Sequence, residues 1–425
     1  MGLTTGKIVE ILFEKAVETH ESQQQLLDLV MFENPNPAQM QNAGNVFWKA
    51  VQQHAPIITG WDLTGSETGI IEETYPSILG TPSNDFVKMR VDDLRDKRFW
   101  ENRGIESGRR QASELNKAIA SAIALQGSLF YRSNATSGYD FIAEAQTMIN
   151  ERQGKKVSHH FLINDRDLLF YSSDLAGRQT LQGRPEATWK TGQIGSNIAE
   201  FDVHTGSYLP NLTGGADPAI TVTGNQSFKP EGGSVNTSTG VVTNVDYRIA
   251  SIVVSTSAGL NLGDKVYFQN AGTPVYAVGR EDKTNTGQPM SFTVVGIPDG
   301  THIQVYPKPI AVDDAALTLV ERAYANINTT ILDAATLERM NIDASAKTNL
   351  FWDKSAIEVI GGVVPMDLLK QFDGMKVVSD TMKNGQVMYM IYDGKLEDLT
   401  LRWRLFTWYG ITVCNPMDCG VAVRF

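Results

Sequence analysis

The sequence predicts an α+β protein carrying an inserted all-β block, and three observations lead there. Its 425 residues are enough for two or three domains with cores of their own. Between Val91 and Tyr131, Leu115, Ala118, Ile119, Ala122 and Ile123 recur at i, i+3, i+4, i+7 and i+8, one face of a long helix. From Ile220 the texture changes to roughly a hundred residues of short strands rich in Thr, Ser and Gly, the pattern of a small barrel or sandwich.

The elements follow in chain order. Residues 6–31 read as a helix, with Ile8, Ile11, Leu12, Ala16 and Val17 near helical spacing. Glu10, Glu14 and Glu18 stack on one face of it, and they also break any apolar core of a signal peptide. Such a stripe is either a solvated face or a docking site for a basic partner. Asn34-Pro35-Asn36-Pro37 stops the helix. Residues 46–90 hold Trp48, Trp61 and Tyr75 among glycines and prolines with no helical period, so they read as extended and β-rich. An exposed Trp there implies contact with something; the same residues folded back would be core.

The long helix is predicted to start near Asp92, Asp93 and Asp96, where carboxylates complement the dipole, with an interruption at Gly104 or Gly108. A second amphipathic helix spans 139–152, through Phe141, Ile142, Ala145, Met148 and Ile149. From Val157 to Pro218 the signal is weak. Ile220–Phe228, Asp246–Ser255, Lys265–Asn270, Ser291–Ile297 and His302–Tyr306 read as strands. Pro298-Asp299-Gly300 is a turn in which Gly takes the positive dihedral. Asp313–Met340 reads as a helical return, and Phe351-Trp352, Ala356–Val364, Met388–Asp393 and Leu401–Val413 as late strands.

Chemistry is hard to find in these residues. With 37 basic and 48 acidic residues the net charge is -11, which argues against a general nucleic-acid binder. No apolar run reaches the roughly 20 residues of a membrane span. Cys414 and Cys419 are too few for a disulfide framework or a four-ligand metal site and are expected to be reduced thiols. There is no phosphate-binding glycine loop and no nucleophile elbow. His159-His160 reads as loop surface rather than a metal site. Carboxylate pairs such as Asp313-Asp314 are explained by capping and turns. The residues alone therefore predict a non-enzymatic structural protein, with no catalytic, cofactor or metal residues. The alternative is a carbohydrate-binding or hydrolytic protein with an appended β module.

Several long, ordered segments are similar to the major coat proteins of short-tailed phages of the P-22 type. They are Trp48 and GWDLTG (60–65), NDFVKMRVDDLRD (84–96), ITVTGNQSFKP (220–230), DGTHIQVYPKPIAVDD (299–314), ERAYANINT (321–329), TNLFWDKSAI (348–357), GMKVVS (374–379) and WYG (408–410). Residues 133–218 and 380–425 diverge. The resemblance implies the Hong Kong-97-type capsid fold. On that reading 1–49 is the N-terminal arm with its connecting loop and 50–90 the E-loop. Residues 91–131 are the P-domain spine helix and 132–219 the first part of the A-domain. The inserted β-barrel is 220–335, hinge strands and the rest of the A-domain 336–400, and the P-domain C-terminal strands 401–425.

It also implies a function. Copies of the chain form the pentamers and hexamers of an icosahedral shell with a scaffolding protein and a portal protein, assembled in the host bacterial cytoplasm. The procapsid expands on packaging double-stranded DNA, which it encloses with weak, non-specific contact; no membrane and no cofactor are involved. Glu14 matches an acidic arm position that receives the basic scaffolding protein, with Glu18 beside it. Trp61, Asp62, Lys88, Arg90, Asp92, Asp93, Arg95 and Glu231 are the candidates for contacts between subunits. The family's acidic loop of the inserted domain corresponds here to EGGSVNTSTGVVTN (231–244), which keeps only Glu231, so salt bridges between capsomers through this loop are not expected.

Overall fold

The structure is a computed structural model. It describes residues 5–35, 45–51, 54–65, 67–90, 97–154, 158–177, 193–214, 219–232, 246–341, 346–364, 376–395 and 400–424. The chain divides into two compact units, one of residues 1–47, 77–119 and 358–412, the other of 48–76, 120–357 and 413–425.

In the first unit, helix α1 (Thr5–Gln23) buries Ile8, Val9, Leu12, Phe13, Ala16 and Val17 and leaves Glu10, Glu14 and Glu18 exposed. It ends eight residues before the expected Met31 for a local reason. The Asn116 side chain accepts from Leu26 N and donates to Gln23 O, both at 3.2 Å, capping the last turn. A single 3-10 turn, Leu27–Leu29, and the strand Met31–Glu33 follow.

Helix α2 (Lys97–Gln126) is uninterrupted, contrary to the break expected at Gly104 or Gly108. Those glycines are where α1 comes closest. A Cβ on Gly104 would overlap the Leu12 carbonyl, and one on Gly108 would overlap the Ala16 carbonyl, with Ala16 C at 3.0 Å and Cα at 3.1 Å. Gly at i and i+4 lets two backbones touch, as small residues do wherever helices pack closely. The helix also stops short of the expected Tyr131: Gly127 closes its last turn onto Ile123 O, and Leu129–Ser133 is a strand.

An antiparallel sheet runs in the order Lys376–Thr381, Val387–Lys395, Thr400–Thr407, Ser83–Arg90. Alternation splits its faces. Val87, Met89, Leu401, Trp403, Leu405, Met388 and Met390 turn inward onto α1 and Trp100, whose ring meets Trp403 edge-to-face at 5.6 Å. Five large apolar side chains of α1 enter this core. At about 1.5–3 kcal/mol each, its seating is worth on the order of 10 kcal/mol before entropy.

In the second unit a mixed sheet runs Leu129–Ser133, Cys419–Arg424, Ala346–Asp353, His159–Asn164, Phe201–Gly206, Gln193–Ile198. Helices α3 (Gly138–Glu151) and α4 (Asp165–Gly177) pack Phe141 and Tyr171 into its core, the two rings stacked at 5.1 Å, while Tyr139 and Phe170 stay exposed. Ser137 caps α3. His159 and His160 are buried in the central strand, not on a loop surface. A histidine can point either way from a two-residue pattern, and here the neighbouring Phe161, Leu162 and Ile163 make the strand a core one.

The β block is an antiparallel sheet in the order Ile220–Thr221, Thr336–Arg339, Lys265–Asn270, Phe292–Asp299, His302–Tyr306, Ala250–Val253. Its two ends meet: Thr223 N donates to Val253 O at 2.9 Å and Ser255 N to Thr221 O at 2.8 Å, closing a small barrel around Ile252, Val266, Phe268, Phe292, Val294 and Ile303. The expected helical return at Asp313–Met340 holds only a four-residue helix, Leu319–Arg322. Its last part is the barrel strand Thr336–Arg339, because Leu337 fills the core between polar neighbours. Gly300 does not take a positive φ. The turn is held by Asp299, whose carboxylate accepts from Thr301 N at 2.7 Å. Lys265 Nζ donates to Gly127 O at 2.5 Å and Thr293 Oγ1 at 2.9 Å, tying the barrel to the chain leaving α2.

Candidate assembly surfaces

Three exposed regions bring the candidate residues together in groups. The first is the outer face of α1. Glu10, Glu14 and Glu18 project from it because Leu12, Ala16 and the rest of the apolar stripe are claimed by the core. Glu18 is not a lone charge: Lys15 Nζ approaches its carboxylate to 2.5 Å. That hydrogen bond and charge lower the Glu18 pKa and raise that of Lys15. Glu10 and Glu14 are therefore the less compensated part of the stripe, a distinction hidden in the sequence although Lys15 stands three residues before Glu18.

The second is the extended segment 54–65 and 67–73. Trp61 is 107% exposed, and Ile57 and Ile70 are nearly as free of contacts. Asp62 accepts from Thr64 N at 3.0 Å and Thr64 Oγ1 at 2.6 Å, a local turn that lowers its pKa and presents Trp61 at the tip. Tyr75, by contrast, is buried, so the aromatic residues of this region divide between surface and core.

The third is the outward face of the four-stranded sheet. Lys88 and Arg90 lie on it, exposed, on either side of buried Met89. Across the ladder Lys88 pairs with Arg402 and Phe86 with Arg404. Arg404 Nε donates to Asn84 Oδ1 at 2.6 Å, and its guanidinium lies 5.1 Å from the Phe406 ring. Phe86 is 66% exposed. Lys88, Arg90, Arg402 and Arg404 thus form a basic, partly aromatic face on a chain of net charge -11. The run TLRWRLF (400–406) alternates in a way that announces Arg402 and Arg404, yet they were not among the sequence candidates. Glu231 is exposed at the start of its loop. Asp92, Asp93 and Arg95 lie outside the described residues.

Acidic, apolar and basic faces suit a protein that works by contact with other macromolecules, and the family whose sequence model matches nearly the whole chain makes it a capsid subunit of a tailed phage, which forms an icosahedral shell. The sequence model of the P22 coat protein (gene protein 5) matches residues 1–424, and the chain belongs to that family. Solved structures overlap it loosely along most of its length. One from Mycobacterium phage Che8 is 10% identical, covers 94% of this chain and 91% of its own, and gives a TM-score of 0.42. The capsid of the cyanophage P-SCSP1u is 9% identical over 93% and 86%, TM-score 0.42. The head of Helicobacter pylori bacteriophage KHP40 is 10% identical over 95% and 90%, TM-score 0.39. The family match carries the assignment. Among the described residues no helix is long and apolar enough to cross a membrane.

Proposed function

We propose that the chain assembles with a scaffolding protein and a portal protein into a procapsid of pentamers and hexamers in the host bacterial cytoplasm, and that this shell expands as double-stranded DNA is packaged. The exposed acidic stripe of α1 is the observation that supports a scaffolding contact. A basic partner gains only about 0.2–1 kcal/mol from each exposed ion pair, and salt screens it, which suits a partner that must leave again. In this reading α1 belongs to the N-terminal arm, 50–90 to the E-loop, α2 to the spine of the P-domain, and the barrel from Ile220 to the inserted domain. Trp61, Asp62, Lys88, Arg90, Asp92, Asp93, Arg95 and Glu231 serve contacts between subunits. The packaged DNA is enclosed by subunits of net negative charge and held without specific contact.

The test is Glu14→Lys, assayed by co-sedimentation with the scaffolding protein at low and moderate salt. The expected result is loss of co-sedimentation with an unchanged unfolding curve for the subunit. Co-sedimentation equal to that of the parent at moderate salt would remove Glu14 from the docking site.

A further inference from the structure

The acidic stripe of α1 carries a cation of its own. Lys15 stands where α1 meets α2: a Cβ on Gly104 would lie 3.2 Å from the Lys15 Cβ. The seam therefore fixes the root of the side chain, while the ammonium reaches back onto the stripe. Lys15 Nζ donates to Glu18 Oε2 at 2.5 Å, and the two side chains are 37% and 67% exposed, so the pair is open to exchange with a partner. Glu18 is the largest influence raising the Lys15 pKa, and Glu14 and Glu101 add to it from further off. Glu101, on α2, is already matched by Lys97 at 3.3 Å. Glu10 and Glu14 make no ion pair among the described residues.

A basic partner offers Glu18 the same kind of group that Lys15 already places there. Taking Glu18 exchanges one ion pair for another, and the displaced Lys15 remains beside Glu14 as a positive charge opposing the newcomer. At Glu10 and Glu14 the partner displaces only water. The three carboxylates, equal in the sequence, are thus unequal as docking points.

We propose that Lys15 is a built-in competitor of the docking partner, an inference that rests on the α1 stripe being the scaffolding contact. Lys15 holds Glu18 in the free subunit, directs the partner's cations to Glu10 and Glu14, and retakes Glu18 as the partner leaves. It lowers affinity and speeds release. An exposed ion pair shifts an equilibrium by a factor of about 1.4 to 5, so Lys15 tunes the contact and does not switch it.

The test holds the full-length chain on a biosensor surface, where copies cannot assemble, and passes purified scaffolding protein over it at about 50 mM and about 300 mM salt. Lys15→Met keeps the apolar stem and removes the ammonium. It should bind about 1.4- to fivefold more tightly at the lower salt, chiefly through slower dissociation, and the gain should shrink at the higher. Lys15→Arg should behave as the parent. Lys117→Met removes the same charge from an exposed position about 24 Å along α2 from Glu101, beyond the reach of screened charge, and should change nothing. With Glu18→Gln already in place, Lys15→Met should gain less than it does in the parent. A gain no larger than that of Lys117→Met, or one equally large with and without Glu18, would overturn the proposal. Glu14→Lys in the same assay separates the two levels. Binding that survives Glu14→Lys removes the docking reading and the competition with it. Binding lost in Glu14→Lys but unchanged in Lys15→Met removes the competition alone.

Discussion

Replacing Gly108 with alanine sets two effects of opposite sign against each other. In an exposed helix interior the change stabilises by about 1 kcal/mol, because alanine loses less backbone entropy. Here the new methyl would overlap the Ala16 carbonyl, and the obstructing atoms are backbone that no rotamer change can move. Helix α1 must lift by about 1 Å, and a gap of that size forfeits a quarter to a half of the dispersion contact along the seam. Set against a seating worth on the order of 10 kcal/mol for α1, that is a loss of about 2.5–5 kcal/mol. The net expectation is destabilisation of about 1.5–4 kcal/mol, seen as a lower urea midpoint of the purified subunit, with α1 cut earlier in limited proteolysis. Ser113→Ala, at an exposed position of the same helix, should be neutral or slightly stabilising. If Gly108→Ala matches that control, α1 is not seated on α2 through these glycines, and the outward aim of the acidic stripe loses its basis.

Two other outcomes are expected. His20 is fully buried with neither ring nitrogen partnered among the described residues, and burial lowers its pKa to about 4. The folded chain then binds fewer protons than the unfolded one between about pH 6.5 and about pH 4, so stability falls as pH falls through that window, by on the order of 3 kcal/mol. His20→Gln should remove that part of the acid sensitivity in urea titrations at pH 7 and pH 4; an equal loss in both proteins would show that His20 is not its source. Trp61→Ala should leave the stability of the subunit in urea within about 0.5 kcal/mol, since the side chain is fully exposed, while lowering the temperature at which assembled shells break. Equal losses in subunit and shell would place Trp61 in a core instead.

The elements with a strong period were legible. The apolar stripes of α1 and α3 and the alternation of the barrel strands follow from burial on one face, and the acidic stripe is the complement of the first of these. What escaped depended on partners distant in sequence. Gly104 and Gly108 look like breaks until α1 lies on them, and Asn116 ends α1 from more than ninety residues away. His159 and His160 carry no sign of burial in themselves; it comes from strands on both sides. Of the candidate contact residues, Lys88 and Arg90 gained meaning only when pairing set Arg402 and Arg404 beside them.

Assembly is the central claim, and electron microscopy combined with sedimentation velocity on the purified chain, alone and with its co-expressed scaffolding protein, tests it most directly. Closed shells of uniform size, forming with the scaffolding protein and impaired by Glu14→Lys, are the expected result. A chain that remains monomeric with the scaffolding protein present would contradict it.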